Sequence, residues 1–232
     1  MARKKIVFVL VEGPSEQEAL SVILNRIFDN ETVYVHIMYC DITTQSGVTP
    51  LNILSKIGDE IRGYAASNHY KKADFKEIIH LVDTDGAYIP DANVIQDDSA
   101  DKPIYYLTDI RTKNKVAIER RNKQKRDNVN RVCGVKEIWG VPYSVYYMSC
   151  NLDHVLYNKQ NSSDEEKESD SYNFARAFKD KIYEFISFIT ESDFSVMNGY
   201  TESWDYIKQD LHSLERHTNF GLCFEKLETT DD

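Results

Sequence analysis

The feature that narrows the fold most is a run of six apolar residues, IVFVLV from Ile6 to Val11, that passes without a spacer into Glu12, Gly13 and Pro14. A short continuous run rich in β-branched residues reads as a strand buried on both faces, the habit of parallel strands. Ser15 and Glu18 then stand in the S-x-x-E spacing of a capping box. The helix that follows, to about Phe28, carries a polar stripe at Gln17, Ser21, Asn25 and Asp29 and is otherwise mostly apolar, as in a helix lying on a sheet. Val33 to Tyr39 predicts a second strand. Thr49 is placed to cap a helix with Pro50 first, a favoured place for proline, and apolar residues recur at helical spacing at Leu54, Ile57, Ile61, Tyr64 and Ala65. Glu77 to Val82 predicts a third buried strand, ending in Asp83-Thr84-Asp85-Gly86. Strands alternating with helices imply βαβ units and an α/β fold with a mostly parallel sheet. In such sheets the ligand site lies beyond the carboxyl ends of the strands, where Glu12, Asp83 and Asp85 are expected.

The pattern weakens over residues 86–110, where PIYYLTDI reads as part of a hairpin. From Arg111 to Arg131 the chain holds nine lysines and arginines against Glu119 and Asp127, and much of this stretch reads as helix. Tyr143 to Met148 predicts a further strand, and Asn151 the cap of a helix over NLDHVLY. NSSDEEKESD reads as a charged surface loop or linker. Phe174, Phe178, Ile182, Phe185 and Ile189 predict an aromatic amphipathic helix, Trp204, Ile207, Leu211 and Leu214 another, and the tail LETTDD is expected to fray. These readings divide the chain into a catalytic α/β domain over residues 1–160, a polar linker over 161–171, and a helical extension over 172–232 packed on the core.

A length of 232 residues allows one substantial domain with an appendage. The formal net charge of -10 argues against a protein that coats nucleic acid by bulk charge, while leaving room for a local basic groove. No apolar run is long enough to span a membrane. The opening MARKKIVFVLVEG has the order of a signal peptide, but its apolar part stops at Glu12, too soon for a secretory core. Cys40, Cys133, Cys150 and Cys223 are scattered with no CxxC spacing, so neither a disulfide framework nor a zinc site is expected, and a reducing cytoplasm fits.

Three carboxylates meeting at one sheet edge would repel: two charges about 5 Å apart cost roughly 3 kcal/mol at an effective dielectric near 20. A divalent cation offsets that repulsion, and an all-oxygen set suits Mg2+ or Mn2+ with water and a substrate phosphate completing the shell. Gly13 and Gly86 allow sharp turns beside such a site, and the helix beginning near Ser15 adds a favourable field for an anion. In the basic stretch, Lys113, Lys115, Arg120, Arg121, Lys123, Lys125 and Arg126 are candidates for contacting phosphates. The bland alternative for them is a solvated helix face. Glu12 equally suits a turn that accepts helix amides, and Asp-x-Asp-Gly is good turn chemistry.

A strand ending in VEGPSE, followed by one ending in VDTDG, resembles the Toprim superfamily, and is most similar to the small OLD-like and RloB-like proteins, some linked to bacterial phage defence. The resemblance covers about the first 160 residues. It implies phosphodiester cleavage or nucleotidyl transfer on nucleic acid, with Glu12 as general acid/base or metal ligand and Asp83 and Asp85 holding Mg2+. It also implies a partner protein such as an ATPase, and leaves self-association open. MSCNLDHVLYN falls where RloB-like proteins carry S-N-P and then a helical Glu; Ser149 and Asn151 roughly correspond and Asp153 could substitute for that Glu, but the proline is missing and the spacing is off, and His154, which is isolated, reads as a surface or capped residue. LVDTDGAY also resembles the first motif of haloacid-dehalogenase phosphatases, in which Asp83 would be the nucleophile, although here it ends the third strand rather than the first. A third reading is a Toprim-like module that binds without turnover. His212 and His217 are not at i, i+4 spacing and read as surface or capped residues.

Overall fold

The apolar run forms a strand, β1 (Lys5–Val11), in which every residue after Lys5 is buried, and it leads at once into α1 (Pro14–Phe28). The computed structural model describes residues 5–28 and 33–225. In chain order there follow β2 (Val33–Tyr39), α2 (Ile53–Ser67), β3 (Phe75–Asp83), β4 (Val94–Gln96), β5 (Ile104–Tyr105), β6 (Ile110–Thr112), α3 (Lys115–Val132), β7 (Glu137–Ile138), β8 (Val141–Met148), α4 (Leu152–Tyr157), α5 (Asp164–Phe178), α6 (Ile182–Glu191) and α7 (Tyr200–Ile207). The protein is a mixed α/β fold whose main sheet, ordered β2-β1-β3-β8-β7, is mostly parallel and flanked by helices, the class its strand–helix alternation predicts.

The chain divides into two compact units and crosses between them several times. The first takes the described residues up to Val82, with 127–145 and 171–182; the second takes 83–126, 146–170 and the described residues from Tyr183 on. In the first unit, β1 lies between two parallel neighbours, with Leu10 opposite both Met38 and His80. One face of α1 buries Ala19, Leu20, Ile23, Leu24 and Phe28, and the Gln17 amide donates to the Ile37 carbonyl of β2 at 3.0 Å. Phe75 meets Phe8, Tyr64 and Trp139 edge to face, Phe8 lies tilted against Tyr64, and the His36 ring stacks on that of Tyr64. Asn128 is wholly buried and its amide donates to the carbonyls of Thr43 (2.8 Å) and Val48 (3.4 Å), fixing the loop that follows β2.

In the second unit, β6 pairs with β4 in parallel and with β5 antiparallel. Ile89, Val94, Ile110, Ile118, Cys150 and Leu214 form the core beneath this small sheet. A second apolar group joins Tyr146, Phe220, Phe224 and Phe185, and Tyr147 packs against Trp204.

Several boundaries differ from those the sequence predicts. The Ser15–Glu18 capping box does not form: Pro14 already opens α1, and Glu18 instead accepts the Ser171 hydroxyl at 3.1 Å. The helix expected from Pro50 begins at Ile53, because the Asn52 carboxamide accepts the Thr49 amide and closes a turn first. The linker expected over 161–171 is helical from Asp164, where Ser163 and Glu166 exchange side-chain and backbone hydrogen bonds and three acidic residues occupy the first turn. The single aromatic helix is two, α5 and α6, parted at residues 179–181. Leu211 and Leu214 lie beyond α7, in turns. Asp29 and the tail LETTDD lie outside the described residues.

Asn128→Ala removes two bonds to buried carbonyls, so it is expected to cost about 1–3 kcal/mol and to lower the melting temperature by roughly 5 °C. Circular dichroism melting checks this, and an unchanged transition would contradict it.

Candidate functional site

Glu12 directly follows the last residue of β1, and α1 begins two residues later. Its carboxylate is half-buried and lies 3.0 Å from the Thr43 hydroxyl, which is itself 3.4 Å from the carboxylate of Asp41. Asp41 also accepts the Thr44 hydroxyl at 2.7 Å. These residues share the edge where β1 and β2 end, and the negative field there registers on Cys40. Burial, then the carboxylates of Glu60, Asp41 and Glu12, push the Cys40 thiol up to about 11. This thiol is protonated at neutral pH.

The Asp83-Thr84-Asp85 loop is built within the second unit. The Thr84 amide donates to the Met148 carbonyl at 3.0 Å and the Asp85 amide to the Cys150 carbonyl at 2.7 Å. The buried Thr84 hydroxyl donates to the Ser213 carbonyl at 2.8 Å and accepts the Cys150 amide at 2.9 Å. Asp85 (φ 49°), Gly86 (φ 65°) and Cys150 (φ 56°) all adopt the left-handed region. Gly86 has no alternative there, since a Cβ would stand 2.6 Å from a Leu214 methyl. The carboxylate of Asp85, 23% exposed, is ion-paired with Lys125, whose side chain is 1% exposed. Arg121 donates to the Asp85 carbonyl at 2.9 Å, also binds the Tyr105 hydroxyl, and lies over the Tyr105 ring. Burial alone would raise the Asp85 carboxyl; the Lys125 ammonium and the Arg121 guanidinium outweigh it and hold the group below the usual carboxylate range.

The basic stretch therefore splits into two sets. Lys113, Arg120 and Lys123 are exposed, and Lys115 is paired with Glu119 at 3.6 Å. Arg121 and Arg126 are half-buried, with Arg126 reaching the Ala87 carbonyl at 3.4 Å, and Lys125 is buried outright. Lys125 shares a helical row with Ile118, Asn122 and Val129, all buried. That 3–4 spacing was the available sign that it points inward.

In the segment that follows β8, Asn151 caps α4 by accepting the His154 amide at 2.9 Å, as its sequence position predicts. Ser149 is tied through its hydroxyl to the His212 carbonyl and through its amide to the His217 carbonyl. Asp153 is 3% exposed and lies 3.9 Å from Lys167. Thr43, Asn128 and Ser213, which hold the two loops, carry no motif and were not singled out by the sequence.

Among the described residues, no group of three or more His, Cys, Asp or Glu side chains is arranged to hold a metal ion. Asp85 is engaged through one carboxylate oxygen by the buried ammonium of Lys125. Among the described residues no helix is long and apolar enough to cross a membrane. No family model, no curated protein and no solved structure matches the chain.

His154 is 3% exposed. Burial first, then the charge of Arg216, pushes its imidazole down to about 4 from an ordinary 6.5. The folded state keeps this ring neutral, whereas the unfolded chain takes up a proton near pH 6.5. Its contribution is therefore complete above that value and is lost as pH falls from 6.5 toward 4. Urea unfolding at pH 7.5 and 5.0 should show the wild type losing about 2 kcal/mol more than His154→Gln over that interval. Equal losses in the two proteins would contradict this account of His154.

Proposed function

We propose that the protein binds nucleic acid and cleaves or transfers a phosphodiester with the help of a divalent cation, Mg2+ or Mn2+. The observation that carries this reading is the place of Glu12. The parallel order β2-β1-β3 makes the carboxyl end of β1 a topological switch point, the position where open α/β sheets bind their ligands. Three further features support it. The carboxylates of Glu60, Asp41 and Glu12 make this edge of the first unit attractive to a cation. The start of the 15-residue helix α1 supplies a field that favours a phosphate oxygen. Lys113, Arg120 and Lys123 are exposed cations suited to a phosphate backbone.

In this reading Glu12 accepts or holds a proton, or ligates the cation, and the Thr43 hydroxyl fixes its carboxylate. Asp83, the last residue of β3, is a separate acidic candidate and belongs to the second unit. When bound, the cation would neutralise charge developing on the phosphoryl oxygens. The resemblance of VEGPSE and VDTDG to OLD-like and RloB-like proteins supplies the proposed setting, bacterial phage defence in the cytoplasm, with a partner such as an ATPase. Four free cysteines suit a reducing compartment.

A second reading, a binding module without turnover, is favoured by one observation: the carboxylate of Asp85 is already neutralised by Lys125. The two readings separate in one assay. Labelled single- and double-stranded DNA and RNA are incubated with the protein in Mg2+ or Mn2+, and in chelator. Catalysis predicts metal-dependent cleavage that falls by about a hundredfold or more in Glu12→Gln and in Asp83→Asn, with both variants still folded. Wild-type rates in both variants would reject the site, and binding without cleavage under any condition would select the module.

A further inference from the structure

We infer that the amino ends of β1 and β3 form a second binding surface, one for single-stranded nucleic acid, with Lys5, Lys71, Lys72 and Lys76 meeting phosphates and Trp139 receiving a base. The inference goes beyond the reading above. It uses the opposite end of β1 from Glu12, and it depends neither on turnover nor on a metal.

The sheet draws these residues together within the first unit. β1 and β3 run parallel with Ile6 opposite Phe75, so Lys5 lies beside the short turn that precedes β3, and its ammonium binds the Ala73 carbonyl in that turn. The turn carries Lys71 and Lys72, Lys76 follows Phe75, and all four lysines are exposed. Two carboxylates accompany them, and both are engaged: Asp74 accepts the Lys71 amide at 2.6 Å, and Glu77 lies 3.8 Å from the Lys76 ammonium. The adjoining Lys136 and Glu137 add one charge of each sign. In a chain of net charge -10 this end is locally cationic, which attracts a polyanion. Aromatic rings lie against it. Trp139 and Tyr70, both half-buried, flank Phe75 with ring centroids 5.7 and 6.5 Å from it. Trp139 (φ 55°) and Gly140 (φ 66°) make the tight turn between β7 and β8. Gly140 leaves the space that Lys72 takes, since a Cβ there would stand 2.9 Å from its ammonium. A cation is thus held at the turn that carries the indole. Lysines beside a partly exposed ring suit a strand with unpaired bases, because the ammonium groups take the phosphates and any base has a face to stack. A duplex keeps its bases within the helix, and an acidic peptide needs only the charge.

Binding and indole emission test this together. The full chain, without added metal, is titrated against a fluorescein-labelled oligothymidine at several salt concentrations, and tryptophan fluorescence is followed with the unlabelled strand. The chain has two tryptophans and Trp204 is 2% exposed, so quenching by a stacked base reports on Trp139. Lys71→Glu/Lys72→Glu should weaken binding at least tenfold and make the slope of log K against log salt shallower by about 1.4. Lys56→Glu/Lys179→Glu, an equal change of charge at exposed lysines elsewhere, should change the affinity less than twofold. Trp139→Phe should abolish the quenching, and melting curves confirm that each variant is folded. No binding by wild type, equal weakening in the two double variants, or an unquenched Trp139 would overturn the inference. Duplex DNA or polyglutamate bound as tightly as the single strand would overturn it as well. The two proposals fail differently. Cleavage that depends on Glu12, with Lys71→Glu/Lys72→Glu binding as wild type does, would defeat only this inference. Weakened binding in that variant of a protein that never cleaves would defeat only the catalytic reading.

Discussion

Burying a lysine ammonium is costly unless it is paired and hydrogen-bonded, and in this chain Lys125, 1% exposed, is paired with Asp85. The pair requires α3 to turn a polar face inward, so that Arg121, Asn122 and Lys125 occupy positions that an ordinary sheet-packed helix would fill with leucine or valine. It also holds Asp85 and Gly86 in left-handed backbone, a conformation that costs energy for aspartate and persists only where the surroundings over-determine it. Thr84, between the two acidic residues, is pinned from the other side by Ser213 and Cys150. Left-handed backbone, a buried ion pair and a fully satisfied hydroxyl in one loop describe a rigid turn rather than a pliable one.

The other constraint comes from the parallel strands of the first unit. A strand with parallel neighbours on both sides is buried on both faces, so every residue of β1 after Lys5 is apolar and the first side chain free to be charged is Glu12. Chemistry in such a sheet is confined to the loops at strand ends. The loop after β2 is correspondingly well built: Asn128 secures its backbone, and the Thr43 hydroxyl orients Glu12. The half-buried Cys40 thiol, pushed up to about 11 by burial and by Glu60, Asp41 and Glu12, reports the carboxylates gathered at this edge.

What the sequence made legible follows from the range of each interaction. β1, β2, β3 and β8 were readable because a buried strand writes its environment into consecutive residues, and the Asn151 cap because capping acts over three residues. The carboxylates at the strand ends were readable from position alone. The capping-box spacing at Ser15 does not become a capping box because Glu18 is taken up by Ser171, 153 residues further along the chain. The polar segment before α5 was misread because charge run and loop share a composition, although the Ser163–Glu166 exchange makes it helical. In the basic run Lys125 reads, with its neighbours, as a phosphate contact. Its burial shows only when the helical row through Ile118, Asn122 and Val129 is weighed against the charge count. Ser213 and Asn128 act through backbone contacts of high sequence separation and leave no local sign.

The central proposal is that the acidic edge beginning at Glu12 takes a divalent cation. Calorimetric titration of Mn2+ into wild type and Glu12→Gln tests it most directly. The proposal predicts binding to wild type and at least tenfold weaker binding to a folded Glu12→Gln protein. No binding to wild type, or unchanged affinity in Glu12→Gln, would contradict it.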